Sequence, residues 1–94
     1  MKVEFSAGAL RDLRSIEAYT TKQDPRLFVD LNIALRSAVE FVTNHVNAGT
    51  HTEQTGVRKW RIGRTPYLMF YSSYNDLLFI RRIRHQREDW RVLH

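Results

Sequence analysis

Seven consecutive residues, Tyr67 to Ser73 (YLMFYSS), carry no charge, although the segments on either side are rich in arginine. An uncharged, aromatic run of this length suits a central strand with a neighbour on each side. The flanking segments supply those neighbours. Val57 to Ile62 (VRKWRI) and Leu77 to Arg84 (LLFIRRIR) mix apolar with basic residues, and a polar break separates each from the uncharged run. Gly63 to Pro66 makes one turn and Tyr74-Asn75-Asp76 the other. Gly56 to Trp90 therefore reads as a three-stranded antiparallel meander that presents a cationic surface.

Alternation along Val57 to Ile62 puts Arg58, Trp60 and Ile62 on one face and Val57, Lys59 and Arg61 on the other. Trp60 and Ile62 mark the core side, so Lys59 and Arg61 point outward together. In the last strand, alternation groups Leu78, Ile80, Arg82 and Arg84 against Leu77, Phe79, Arg81 and Ile83. Each group is apolar at one end and cationic at the other, which leaves the burial direction open. A cation must then border the core, an unfavourable placement without a carboxylate or solvent. Glu17, Glu40 and Asp89 are the internal candidates for that carboxylate, and an acidic partner is the external one.

The first half of the chain reads differently. Lys2 to Phe5 is a short extended segment. Ser6 is an N-cap, and a helix follows to about Lys22. Its apolar stripe is Leu10, Leu13 and Ile16, continued by Tyr19 or Thr20; Arg11, Asp12, Arg14 and Glu17 take the wet side. Asp24-Pro25 ends this helix and opens another. Asp24 caps it, and Pro25 takes the first position, where no amide donor is missed. Phe28, Leu31, Leu35, Ala38, Val42 and Val46 then recur at spacings of three and four, a long amphipathic helix reaching about His45. Asn47 to Thr55 (NAGTHTEQT) reads as a loop. The expected fold class is α+β: an N-terminal strand and a two-helix hairpin packed on an antiparallel sheet that ends in the meander.

At 94 residues the chain suits one domain. It has no cysteine, which removes disulfides and thiolate chemistry. No apolar run is long enough for a signal peptide or a bilayer span, so a soluble cytoplasmic protein without a membrane partner is expected. His45 and His51 lack paired ligands at metal spacing, and neither a metal nor another cofactor is expected. Fifteen Lys and Arg against ten Asp and Glu give +5, and twelve of the fifteen cations are arginine. That permanently charged fork suits carboxylate or phosphate, so an anionic partner is expected, protein or nucleic acid.

Three sequences join this order of elements: G-V-R-K-W-R-I-G, P-Y-L-M-F-Y and the closing R-I-R-H-Q-R-E-D-W. With V-E-F-S-A-G-A-L-R-D-L at the start, they resemble the RelE/ParE toxin superfamily of type II toxin–antitoxin (plasmid stabilisation) modules. The resemblance covers nearly the whole chain. It implies a co-expressed antitoxin and a toxin–antitoxin hetero-oligomer. It also implies one of two activities. RelE-like members enter the ribosome and cut messenger RNA; ParE-like members poison DNA gyrase.

Metal-free RNA cleavage needs a base, cations at the phosphorane and an acid. Lys59 would be the base, with Arg61 roughly 7 Å along the same face. Arg81, Arg82 or Arg87 would steady the phosphate, and His85 would be the acid. Lys59 and Arg61 resemble the basic pair of cleaving members, and Arg87 the arginine beyond their last strand. Cleaving members similar to RelE place another arginine directly after the tyrosine that opens the third strand; here Leu68 follows Tyr67. Their C-terminal tyrosine has no clear match, since only Trp90 and His94 lie nearby. Other cleaving branches use a histidine near the end of the last strand, as His85 is placed. The favoured expectation is a ParE-like toxin that inhibits growth by binding a protein target, DNA gyrase, through Arg81, Arg82, Arg84, Arg87 and Trp90. A ribosome-dependent endoribonuclease using Lys59, Arg61, His85 and Arg87 is the alternative, and a non-toxic binding remnant is the second alternative. Structural roles compete for the same residues: a wet strand face for Lys59 and Arg61, a sheet-end brace for His85, and an anchor for Trp90.

Overall fold

The computed structural model describes residues 1–88. Its elements are β1 (Lys2–Phe5), α1 (Ala7–Gln23), α2 (Pro25–Asn44), β2 (Thr50–His51), β3 (Arg58–Arg61), β4 (Tyr67–Tyr74) and β5 (Leu77–His85). One sheet holds all five strands in the order β1-β5-β4-β3-β2, with β1 parallel to β5 and the other pairs antiparallel. The uncharged strand β4 is central, as its composition requires. No helix among the described residues is long and apolar enough to cross a membrane.

The helix starts follow their caps. Ser6 Oγ accepts from Ala9 N at 2.9 Å, and Asp24 Oδ1 accepts from Arg26 N at 3.0 Å with Pro25 in the first turn. The Arg26 guanidinium also holds the Asp24 carboxyl below its ordinary value. Both helices cover one face of the sheet. Leu31, Leu35, Ala38 and Val42 of α2 meet Met69 and Tyr71 of β4 and Leu78, Ile80 and Ile83 of β5 in one core. Burying a side chain such as Leu31 or Ile80 contributes roughly 1.5–3 kcal/mol each.

Four sequence expectations are corrected. The apolar stripe of α1 is Ala9, Leu13, Ile16 and Thr20; Leu10 and Tyr19 are exposed. The segment read as a loop contains β2, which pairs Thr50 with Lys59 and His51 with Arg58. Val57, expected outward, is buried. It precedes β3 and closes a local turn, its amide donating to Gln54 O and its carbonyl accepting from Thr52, so strand alternation does not govern it.

The fourth correction concerns β5. Tyr71 pairs with Ile80 and Phe70 with Arg82, so Arg81 is an extra residue opposite a regular partner, a β-bulge. The bulge resets the alternation. Leu78, Ile80 and Ile83 all face the helices, while Arg82 and Arg84 fall on the opposite face. The sequence grouping of Ile80 with Arg82, and of Arg81 with Ile83, therefore fails beyond Ile80. No cation has to enter the core.

Candidate functional site

The register assembles two rows on the sheet face opposite the helices. Lys59, Phe70 and Arg82 lie side by side, and Arg61, Leu68 and Arg84 form the next row. Each row has an apolar centre and a cation on either flank. Lys59 and Arg61 thus share the outward face, while Trp60 turns inward and stacks on Phe41 of α2 at 5.1 Å. Arg58, also on the helix face, is occupied structurally: its guanidinium donates to the Asn47 and Gly49 carbonyls at 3.2 and 2.8 Å.

The free edge of β5 explains the arginines at its end. β1 accompanies β5 only as far as Phe5 opposite Ile80. The chain then turns into α1, and side chains of α1 and its cap take over from backbone. Ser6 Oγ donates to Arg81 O at 2.6 Å, and Asp12 Oδ2 accepts from Ile83 N at 3.0 Å. The same Asp12 carboxylate receives Arg82 through two bonds, from Nε at 2.8 Å and from NH2 at 3.0 Å. It also lies 3.9 Å from Arg84 NH1. The hydrogen bond to Asp12 raises the Arg82 pKa further above its ordinary value. Asp12, expected on the wet side, is the internal carboxylate that relieves Arg82 and, with Glu88, Arg84; among the described residues neither Glu17 nor Glu40 pairs with these cations, and Asp89 lies outside the described residues. The sequence signal for this pairing is periodicity. Residues 9, 12, 13, 16 and 20 recur at three and four, so a carboxylate at 12 borders the buried stripe and calls for a cation.

Arg81 and Arg87 are placed differently. The Arg81 guanidinium lies 5.8 Å from the centre of the Phe79 ring, a cation–π contact. Arg87 is exposed, and its backbone amide donates to His85 Nδ1 at 3.1 Å. Trp90 lies outside the described residues.

His85 does not join Lys59 and Arg61. It pairs with Tyr67 on the helix face of the sheet, with the two rings edge to face at 5.3 Å. Its Nδ1 accepts the Arg87 amide, so in the neutral ring the proton sits on Nε2. Its own backbone amide donates to Glu88 Oε1 at 2.9 Å, and Glu88 Oε2 reaches Arg84 at 3.5 Å. These bonds make His85 the brace of the turn that ends β5. The ring lines a largely apolar groove of about 840 Å³ between the helix hairpin and the β3–β4 turn, with Ile16, Tyr19, Leu27, Leu31 and Tyr67. Burial pushes the Tyr67 hydroxyl pKa up.

The solved structures include one described as a chromosomal ParDE TA system from P. aeruginosa, which is similar in fold, with a TM-score of 0.70 and 23% identity over 90% of this chain and 95% of that one. No curated protein matches the chain. The family described as ParE toxin of type II toxin-antitoxin system, parDE, matches residues 3–90, nearly the whole sequence. With that match laid over the helix hairpin and the five-stranded sheet, this chain belongs to the ParE toxin family of type II toxin–antitoxin systems.

Proposed function

We propose that this ParE-family toxin arrests growth by binding a protein target, DNA gyrase, and is neutralised by a cognate antitoxin in a toxin–antitoxin hetero-oligomer. The observation that carries the choice of target is the pairing of Tyr67 with His85 and of Leu68 with Arg84. It turns His85, the candidate acid, to the helix face, away from Lys59 and Arg61, and sets an apolar residue where cleaving members similar to RelE have an arginine. An oxyanion donor of that kind is worth ~10²–10³ in rate. The rim of β5 and the turn after it, Arg81 to Trp90, is the proposed target-binding region. The apolar groove beside Tyr19 and Leu27 suits an antitoxin segment that orders on binding, with its acidic residues reaching the arginines.

Induced expression with parallel readout of plasmid supercoiling and transcript ends tests this reading. Altered topology with intact messages is expected. Codon-positioned message cleavage within minutes, without a topological change, refutes it. The endoribonuclease alternative keeps one supporting observation, that Lys59 and Arg61 share a face with Arg82 and Arg84. Its test is cleavage of a programmed message on purified ribosomes, abolished by Lys59→Ala/Arg61→Ala.

A further inference from the structure

We infer that Asp12 is a positioning residue that divides the arginines of β5 and its turn into two classes: Arg82 and Arg84, withdrawn onto α1, and Arg81 and Arg87, left to meet an anionic partner. The inference deepens the proposed target-binding role of this rim and rests on it for its biological meaning, but its geometry stands alone. Asp12 is itself largely covered, with its side chain 11% exposed, and Arg84 is 15% exposed. Arg82 is 36% exposed, yet its Nε and NH2 are spent on the two Asp12 oxygens. A guanidinium held bidentately through Nε and NH2 keeps only its NH1 side for another anion, and its charge is already matched by the carboxylate. The carboxylate is fixed from a third direction by the Ile83 amide, which belongs to the bulged strand itself. Rotating Arg82 outward would leave the Asp12 charge partly buried and short of a partner. Among the described residues, neither Arg81 nor Arg87 forms an ion pair. Phe79 supports Arg81 from below without consuming its N–H donors.

The position of Asp12 also explains why the partition is stable. Ser6 and Asp12 sit at one end of α1 and grip Arg81 O and Ile83 N, the backbone groups flanking Arg82. The bulge cannot relax without breaking one of these bonds, so the directions of Arg81 and Arg82 are set from α1, while Arg84 is held between Asp12 at 3.9 Å and Glu88 at 3.5 Å.

The test compares variants of equal charge on the purified full chain, with immobilised heparin as the polyanion probe. Arg81→Gln and Arg87→Gln are each expected to lower the eluting salt concentration clearly more than Arg82→Gln does. Asp12→Asn, which keeps an acceptor for the Ile83 amide, is expected to raise it beyond Glu17→Gln, a surface change of the same charge. That excess should vanish when Arg82→Gln and Arg84→Gln are added. Equal shifts for Arg81→Gln and Arg82→Gln overturn the partition, and so does an Asp12→Asn shift no larger than that of Glu17→Gln. If Asp12→Asn fails to fold, the arginine comparison decides by itself. Growth inhibition per folded molecule then separates this inference from the proposed function. A drop of about tenfold or more for Arg81→Gln and Arg87→Gln, with little change for Arg82→Gln, supports both. Heparin results as expected with no growth difference leave the partition standing and remove the rim as the target-binding surface.

Discussion

β4 and β5 are adjacent strands of eight and nine residues, hydrogen-bonded along their length, and they are built on different rules. β4 has a strand on each side, carries no charge and alternates regularly from Tyr67 to Tyr71. β5 has a full neighbour on one side only. On the other, β1 ends at Phe5 and α1 must finish the edge with the Ser6 hydroxyl and the Asp12 carboxylate. The strand with two partners can be apolar and straight. The strand whose edge is finished by side chains carries a bulge, and it is where the arginines stand. The difference shows that the cationic rim is a consequence of how this sheet edge is closed as much as a feature added for binding.

That contrast can be broken most severely in β4. Deleting Phe70 would invert the facing of one half of a strand packed on both sides, and no cooperative thermal transition is expected. Tyr71→Ala should cost ~3–5 kcal/mol, the usual loss for a large buried aromatic. Tyr71→Phe should cost ~1–3 kcal/mol, because the hydroxyl accepts from the buried Gly49 amide at 2.9 Å and donates to Val46 O at 2.9 Å. Gly49 cannot answer by adding a side chain, since a Cβ there would lie 2.5 Å from the Tyr71 hydroxyl oxygen. A thermal scan checks the deletion, and chemical denaturation with a common slope measures the two Tyr71 variants.

On β5 the effects are smaller. Asp12→Ala strips a carboxylate from the Ile83 amide and from Arg82, and a loss of ~1.5–3 kcal/mol is expected, roughly 6–24 °C in melting temperature. Deleting Arg81 sharpens the contrast furthest. It removes the extra residue and leaves Ile80 and Ile83 on the helix face and Arg82 and Arg84 opposite. A folded protein is expected, weaker by ~1 kcal/mol for the disturbed Ser6 bond. An unfolded product would show that the bulge, and not only the alternation around it, is required.

Alkali separates the strands without mutation. Burial raises the pKa of both Tyr67 and Tyr71 on β4 above the ordinary 10.0, opposed at Tyr71 by the Gly49 amide bond. The folded state therefore holds these protons more tightly than the unfolded chain. Their stabilisation is complete below pH 10 and is lost as pH rises through the raised values. Arg82 on β5 stays charged throughout. Tyrosinate absorbance followed beside circular dichroism should show unfolding that begins with these two phenols and no change near neutrality.

What the sequence disclosed follows the same division. The caps Ser6 and Asp24, the α2 stripe from Phe28 to Val42, the central place of Tyr67 to Ser73 and the outward pair Lys59 and Arg61 were legible, because each depends on local period or local hydrogen bonding. Local rules also failed at identifiable points. Nothing between Leu77 and Arg84 signals that Arg81 is supernumerary; the extra residue falls just beyond the last β1 pair, Phe5 with Ile80, a contact between residues far apart in sequence. Between Arg11 and Arg14, Asp12 reads as a solvated charge, and only its place beside the buried stripe marks it as a partner for the β5 arginines. The candidate site was therefore legible as a set of residues and illegible as an arrangement: alternation could not reveal that His85 faces the helices or that Arg82 is spoken for.

The parallel pairing of Lys2 with Leu77 has a further consequence, in time. During synthesis the first strand leaves the ribosome with nothing to bind. At roughly 5–20 residues per second its neighbour follows ~4–15 s later. Until then the helix hairpin can form, but β1 has no strand beside it and Asp12 has no arginine to hold. The arginine-bearing edge is made after β1, α1 and α2, so a nascent chain cannot present a finished cationic rim until β5 has joined them.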